Sequence, residues 1–207
     1  MESKKDMNQI LLVEGKDDQH VIWALCEKHQ MVENFEVIDC NGIDKLIEQT
    51  PIRFKISGIR TVGIIIDADD QLDQRWEKVK GVLQSSGFSI PGSLPEDGLI
   101  VSNDTHKAGV WIMPDNKING ILEDFISFLI PEEDQLLPMV NSTLEDIESN
   151  RLNRYNMHHH AKAEIHTWLA WQKDPGTPMG ASITKRYLTT EQETCMKLID
   201  WMKNLFS

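Results

Sequence analysis

The chain has 207 residues, 40% hydrophobic and 26% charged, with 21 basic and 33 acidic side chains and a net charge of −12. That length carries one domain, or one domain and a small appendage, with enough core to fold without a disulfide or a structural metal. The acidic balance argues against a broad basic face that grips DNA unaided, although part of the charge can belong to a cation site and a partner can supply the basic surface.

Three cysteines, Cys26, Cys40 and Cys195, are widely spaced with no CxxC pair. This does not read as a disulfide framework or a zinc site, and a reducing cytoplasm fits. The apolar run Ile10–Val13 is too short for a secretion signal despite Lys4 and Lys5 before it, and nothing later is long enough to span a bilayer. A cytoplasmic protein with no membrane association is the expectation.

Gln9–Val13 (QILLV), bounded by Gly15, has the pattern of a buried parallel strand. Asp17 and Asp18 then open a helix, where acids suit the free N–H groups and the dipole. Its apolar face is Val21, Ile22, Leu25 and Cys26. Phe35–Cys40 is a second strand closed by Asn41-Gly42, followed by a helix from Ile43 to Gln49 that Pro51 interrupts or ends. Residues 52–60 are open between helix and loop. Thr61–Ile66 is the strongest strand and runs into Asp67-Ala68-Asp69-Asp70; a helix over Leu72–Leu83 follows, with Gly87 as its stop signal.

Residues 88–107 read as loop, with a short strand at Gly98–Ser102. Val110–Met113 is another strand, ended by Pro114-Asp115-Asn116, and a helix runs from near Asn119 to Pro131. Residues 132–150 and 154–172 are helical in pattern, KDPGTPMG then breaks that pattern, and a last helix covers Thr190 to Phe206. Strands alternating with helices imply an α/β fold with a mostly parallel sheet and helices on both faces. That unit is expected over 1–130, with a helical C-terminal extension over 131–207, packed on the core or forming a small lobe.

In such sheets ligands bind beyond the carboxyl ends of the strands. Here the polar residues at those ends are acidic: Glu14 after the first strand, Asp67, Asp69 and Asp70 after the third, Asp115 after VWIM, then Glu123 and Asp124 on the next helix. Asp67 and Asp69 can face one point if the chain stays extended, because alternate residues point the same way. Asp18, four residues past Glu14, can point back toward it. Clustered carboxylates repel unless a cation sits among them, and hard oxygen ligands favour Mg²⁺ or Mn²⁺.

ILLVEGKDD (10–18) resembles the first motif of TOPRIM domains, an apolar strand, a Glu and a Gly; GIIIDADD (63–70) resembles the second, a strand ending in Asp-x-Asp. A βα unit separates them, as in that family, and the similarity covers about residues 8–130. Within it the chain resembles compact, stand-alone proteins related to the nucleases of OLD-family proteins. GVWIMPDNKINGILEDF (109–125) and KAEIHTWLAWQ with PGTPMG (162–180) are similar to segments of small bacterial TOPRIM proteins. The resemblance implies a TOPRIM-like fold, Glu14 in proton transfer or metal binding, and Asp67 and Asp69 as Mg²⁺ ligands. Glu14 and Asp18 match its Glu-x-x-x-acid pattern. Glu123 is the candidate for holding a second metal, and Lys162 the candidate catalytic cation that stabilises phosphate charge. The implied function is a Mg²⁺-dependent nuclease or related phosphodiester-processing protein acting on nucleic acid, DNA first, in a defence or repair system beside an ATPase partner.

The plainer readings differ. Asp70 and Asp73 serve as ordinary helix-start residues, Glu123 and Asp124 as a solvated helix face, and Lys162 as a surface lysine. His158, His159 and His160 point about 100° apart on a helix and do not share one ion. His106 and Lys107 are weaker phosphate candidates. Trp168 and Trp171 fit core packing better than base stacking. Tyr155 and Tyr187 lack the context of a topoisomerase nucleophile, and no zinc-binding or helicase segment suggests a primase. The alternative function is a metal-binding regulatory or binding module with no hydrolytic activity alone. A phosphoacceptor receiver fits poorly, because the Asp67-x-Asp69 turn follows the wrong strand.

Overall fold

The computed structural model describes residues 7–207; Lys4 and Lys5 lie outside the described residues. Five strands form one sheet: β1 (Gln9–Val13), β2 (Glu36–Asp39), β3 (Thr61–Asp67), β4 (Leu99–Ser102) and β5 (Lys107–Met113). Their order is β2-β1-β3-β5-β4, parallel throughout except that β4 runs antiparallel to β5. The α/β architecture expected from the alternation is present. β1, β3 and β5 are nearly continuous apolar runs because the sheet is covered on both faces, as central parallel strands require.

The pleat sorts the strand residues by parity. Ile10, Leu12, Val62, Ile64, Ile66, Val110 and Ile112 face helices α2 (Ile43–Arg53) and α3 (Leu72–Ser85), packing with Leu46, Trp76, Val79 and Leu83. Leu11, Val13, Ile65, Trp111 and Met113 face the other way. They meet α1 (Lys16–Lys28), α4 (Leu122–Ser127), α5 (Leu136–Ser149), α6 (His160–Ala170), α7 (Met179–Thr184) and α8 (Glu193–Leu205) in one core. The helices of 131–207 thus bury their apolar faces on the same sheet.

The register pairs Gly63 with Gly109 on that second face. A Cβ at Gly63 would stand 2.7 Å from Leu11 Cδ1, and one at Gly109 would stand 2.6 Å from Leu205 Cδ2. The two glycines form a floor on which the end of α8 lies. Lys107 fixes that end, its Nζ donating to the carbonyls of Asn204 and Leu205 at 2.8 Å each. The role of Lys107 here is to cap a helix C-terminus, where a cation suits the free carbonyls.

Several elements differ from the expectations, among them β5, which begins at Lys107 and not at Val110. Pro51 lies inside α2, two residues from its end, so it neither interrupts nor ends the helix at that point. It removes the bond that an N–H at position 51 would make to the preceding turn, yet the helix continues to Arg53. The helix expected from Asn119 to Pro131 is confined to Leu122–Ser127, because Asn119 is used elsewhere: its side chain accepts from Leu72 N and donates to Asp70 O, each at 2.9 Å. The PGTPMG segment runs into a further helix, α7, packed on α1.

Candidate functional site

Glu14 follows the last residue of β1, and Asp67 is the last residue of the neighbouring β3. Both therefore stand at the carboxyl edge of the sheet. Asp18 lies in the first turn of α1 and Glu123 in the first turn of α4. The topology brings these four carboxylates from four segments to one place.

Each of three acids takes one backbone donor. Asp67 N donates to Glu14 Oε1 at 3.0 Å, Gly15 N to Asp18 Oδ2 at 3.1 Å, and Leu122 N to Asp67 Oδ1 at 2.9 Å. The Gly15–Asp18 bond is a helix cap, which is the plain reading of Asp18. It accounts for one oxygen only: Asp18 is 6% exposed, and its Oδ1 is buried with no hydrogen-bond partner. An orphaned carboxylate oxygen inside a protein is costly unless a proton or a cation meets it.

The electrostatics carry the same mark. Burial raises the Asp18 carboxyl to about 7, with Glu14 and Glu123 adding repulsion. Burial also pushes Asp67 well above the ordinary carboxylate range, with Asp18, Glu14, Glu123 and Asp69 adding to it. Glu14 is raised by burial, against the Asp67 amide and the positive charges of Arg75 and Lys162. Mutual repulsion of this kind shows that the four acids feel one another.

Glu123 is buried at 5% exposure, and Lys162 Nζ from α6 stands 3.7 Å from its Oε1. Lys162 is half exposed. It is therefore a surface lysine that also reaches the edge of the acidic cluster.

Asp69 is placed differently. The chain does not stay extended after Asp67: Asp69 adopts φ +52° and its N–H donates to Gly120 O at 2.9 Å. That bridge to the segment before α4 turns the Asp69 carboxylate to Arg75, with which it forms an ion pair. Asp69 remains near enough to raise Asp67. Arg75, which no sequence motif singled out, thus belongs to the site's surroundings. The signal available in the sequence was its place in the first turn of the helix that follows Asp-x-Asp.

The other candidates have structural partners. Asp124 Oδ2 accepts from Ile121 N at 2.8 Å as a helix cap. His160 Nδ1 bonds Glu148 Oε1 at 2.7 Å, and Tyr155 OH donates to the same oxygen at 2.6 Å, tying α5 to α6. His106 packs edge-on to Phe54. Trp168 is buried with its Nε1 donating to Asp134, whereas Trp171 is 40% exposed, so only the first of the pair is core.

A cavity of about 600 Å³ is lined by Asp69, Asp70, Asn119, Asp124, His158 and His160 among others, and none of the four clustered acids lines it. A larger one of about 1220 Å³ lies along β2 between Trp23, Val32 and Ile56 and shares no residue with the acids. Among the described residues no group of three or more acids, histidines or thiols is placed to hold a metal ion, and no helix is long and apolar enough to cross a membrane.

A family model described as a protein of unknown function (DUF3226) matches residues 8–207. No curated protein matches the chain. Among solved structures, the C-terminal region of the Xanthomonas campestris pv. campestris OLD protein is similar over 98% of this chain and 89% of that one, at 14% identity and a TM-score of 0.39.

Proposed function

We propose that this chain, which belongs to the DUF3226 family, is a Mg²⁺-dependent nuclease of the TOPRIM type that hydrolyses phosphodiester bonds in DNA. The observation that carries the reading is the gathering of Glu14, Asp18, Asp67 and Glu123 at the carboxyl edge of the sheet, with an orphaned buried oxygen on Asp18. Its donor set is all oxygen, which favours Mg²⁺ or Mn²⁺ over zinc. Side-chain rotation would have to close the set around an ion, since no three of these groups converge already.

Glu14, Asp18 and Asp67 would hold the cation, with Asp69 and Glu123 completing its shell or holding a second ion. Bound there, Mg²⁺ would offset charge on the phosphate and lower the pKa of a water. Glu14 has a further part to play. As the TOPRIM resemblance implies, it would also accept a proton from the attacking water and return it to the leaving oxygen. Lys162, at the rim beside Glu123, would place positive charge against the phosphate. In this reading residues up to about 130 form the catalytic unit, and the helical extension over 131–207 supplies Lys162. The net charge of −12 leaves the grip on DNA to a partner, for which an ATPase in a cytoplasmic defence or repair system is the proposal.

Cleavage of plasmid and single-stranded DNA by the purified protein, with Mg²⁺, Mn²⁺ or EDTA, tests this. Metal-dependent cutting abolished by both Glu14→Ala and Asp67→Ala is expected. Cutting that survives both substitutions, or in EDTA, sinks the proposal. One observation favours the alternative of a metal-binding regulatory module: both nearby cations, Lys162 and Arg75, are paired with candidate ligands. Metal-dependent stabilisation without cutting of any substrate supports that alternative.

A further inference from the structure

We propose that Arg75 is a phosphate-binding residue masked by Asp69, and that it is released to DNA when a divalent cation takes the Asp69 carboxylate. The inference deepens the metal-dependent reading of the same site and rests on it.

Arg75 sits in the first turn of α3, and its side chain is 22% exposed, so its stem is packed while its head reaches the site. Among the described residues its guanidinium bonds only Asp69 Oδ2, which leaves most of its N–H donors without a protein acceptor. Its charge is felt at Glu14, as is that of Lys162 from α6. Two cations on different elements therefore pair with acids around the site, Arg75 with Asp69 and Lys162 with Glu123. A guanidinium fork binds a carboxylate and a phosphate in the same manner, so whichever anion is present can occupy it.

Asp69 is placed to exchange. Its backbone is fixed at φ +52° by the bond to Gly120 O, so its position does not depend on the ion pair. Its side chain is half exposed, pairs with Arg75, and still lies close enough to Asp67 to raise its pKa. Rotation about the side-chain bonds carries the carboxylate from Arg75 toward the acidic cluster. A cation drawing Asp69 inward thereby frees the guanidinium for a phosphodiester oxygen. By linkage, cation and DNA each strengthen the binding of the other.

Binding, not turnover, tests this. Affinity for a fluorescein-labelled DNA duplex is measured by anisotropy in EDTA for wild type, Asp69→Asn, Arg75→Gln and the double variant. Asn tolerates the left-handed backbone at position 69, and Gln keeps much of the packed stem at 75. Circular dichroism melts confirm that each variant is folded. Unmasking Arg75 with Asp69→Asn should tighten binding about tenfold, the effect of one charge-assisted hydrogen bond. It should also steepen the salt dependence by about one phosphate contact. In the Arg75→Gln background the same substitution should change affinity less than about threefold, since only repulsion is relieved there. Equal gains in the two backgrounds overturn the proposal.

The cation half is read by Mn²⁺ titration followed by electron paramagnetic resonance without DNA. Arg75→Gln, which frees Asp69, should bind Mn²⁺ more tightly than wild type. Unchanged or weaker Mn²⁺ binding overturns the exchange. A protein that cuts DNA with metal yet shows equal gains keeps the nuclease reading and loses this one. A protein that cuts nothing yet shows both couplings does the reverse.

Discussion

Replacing Asp18 by Asn should stabilise the metal-free protein while removing its response to Mg²⁺. Asp18 is 6% exposed, and burial, then Glu14 and Glu123, raise its carboxyl from 3.8 to about 7. A group whose folded pKa lies above its unfolded value holds a proton in the folded chain that the unfolded chain has given up. Stability is therefore lost as pH rises through the window from 3.8 to about 7. At about 1.4 kcal/mol per pH unit the loss is on the order of 4 kcal/mol. Asn is neutral at every pH and its oxygen can still accept from Gly15 N. Part of the repulsion persists among Glu14, Asp67 and Glu123, so a gain of about 2 kcal/mol is expected above pH 7, worth about 4–8 °C in a chain of this size. Thermal melts by circular dichroism in EDTA, from pH 4 to pH 8, measure it. The gain should close near pH 4, where both side chains are neutral. In wild type, Mg²⁺ should raise the melting temperature at pH 8, and in the variant it should do so much less. A variant no more stable than wild type at pH 8, or a gain that is the same at pH 4, would refute the electrostatic reasoning.

Gly180→Ala should destabilise by about 2 kcal/mol, because its Cβ would fall 2.6 Å from the backbone oxygen of His20 and force α7 away from α1; chemical denaturation gives the value. Lys107→Met should cost about 1 kcal/mol by leaving the Asn204 and Leu205 carbonyls without their cation, and faster amide exchange confined to the end of α8 would mark the cause. On the proposed nuclease reading, Lys162→Ala should lower kcat for DNA cleavage by tenfold or more with little change in the melting temperature, since the side chain is half exposed and its contact with Glu123 is long. A fall in stability without a fall in kcat would make Lys162 a structural residue.

Much of the sheet was legible because periodicity is a local property. QILLV and TVGIII are bounded apolar runs, and β1 and β3 form where they stand. The acids after them were legible for the same reason: a residue at the end of a buried strand has nowhere to point but the edge. The helical detail around 114–131 was not, because Asn119 gives its side chain to Asp70 and Leu72, forty-seven or more residues away. α7 was hidden behind Pro and Gly signals that mark its entry and say nothing of its packing on α1.

Asp69 and Arg75 show the limit at the site itself. Asp-x-Asp spacing aims both carboxylates at one point only for an extended chain, and the bridge from Asp69 to Gly120 turns the second one aside. By itself, then, the sequence determined the strands, their burial on two faces and the acids at their ends, since all three follow from which side chains water rejects. Only the tertiary structure decided which acids meet, that Asp18 keeps an oxygen without a partner, and that α8 lies on Gly63 and Gly109. Those outcomes depend on the approach of segments far apart in the chain, and no local pattern encodes it.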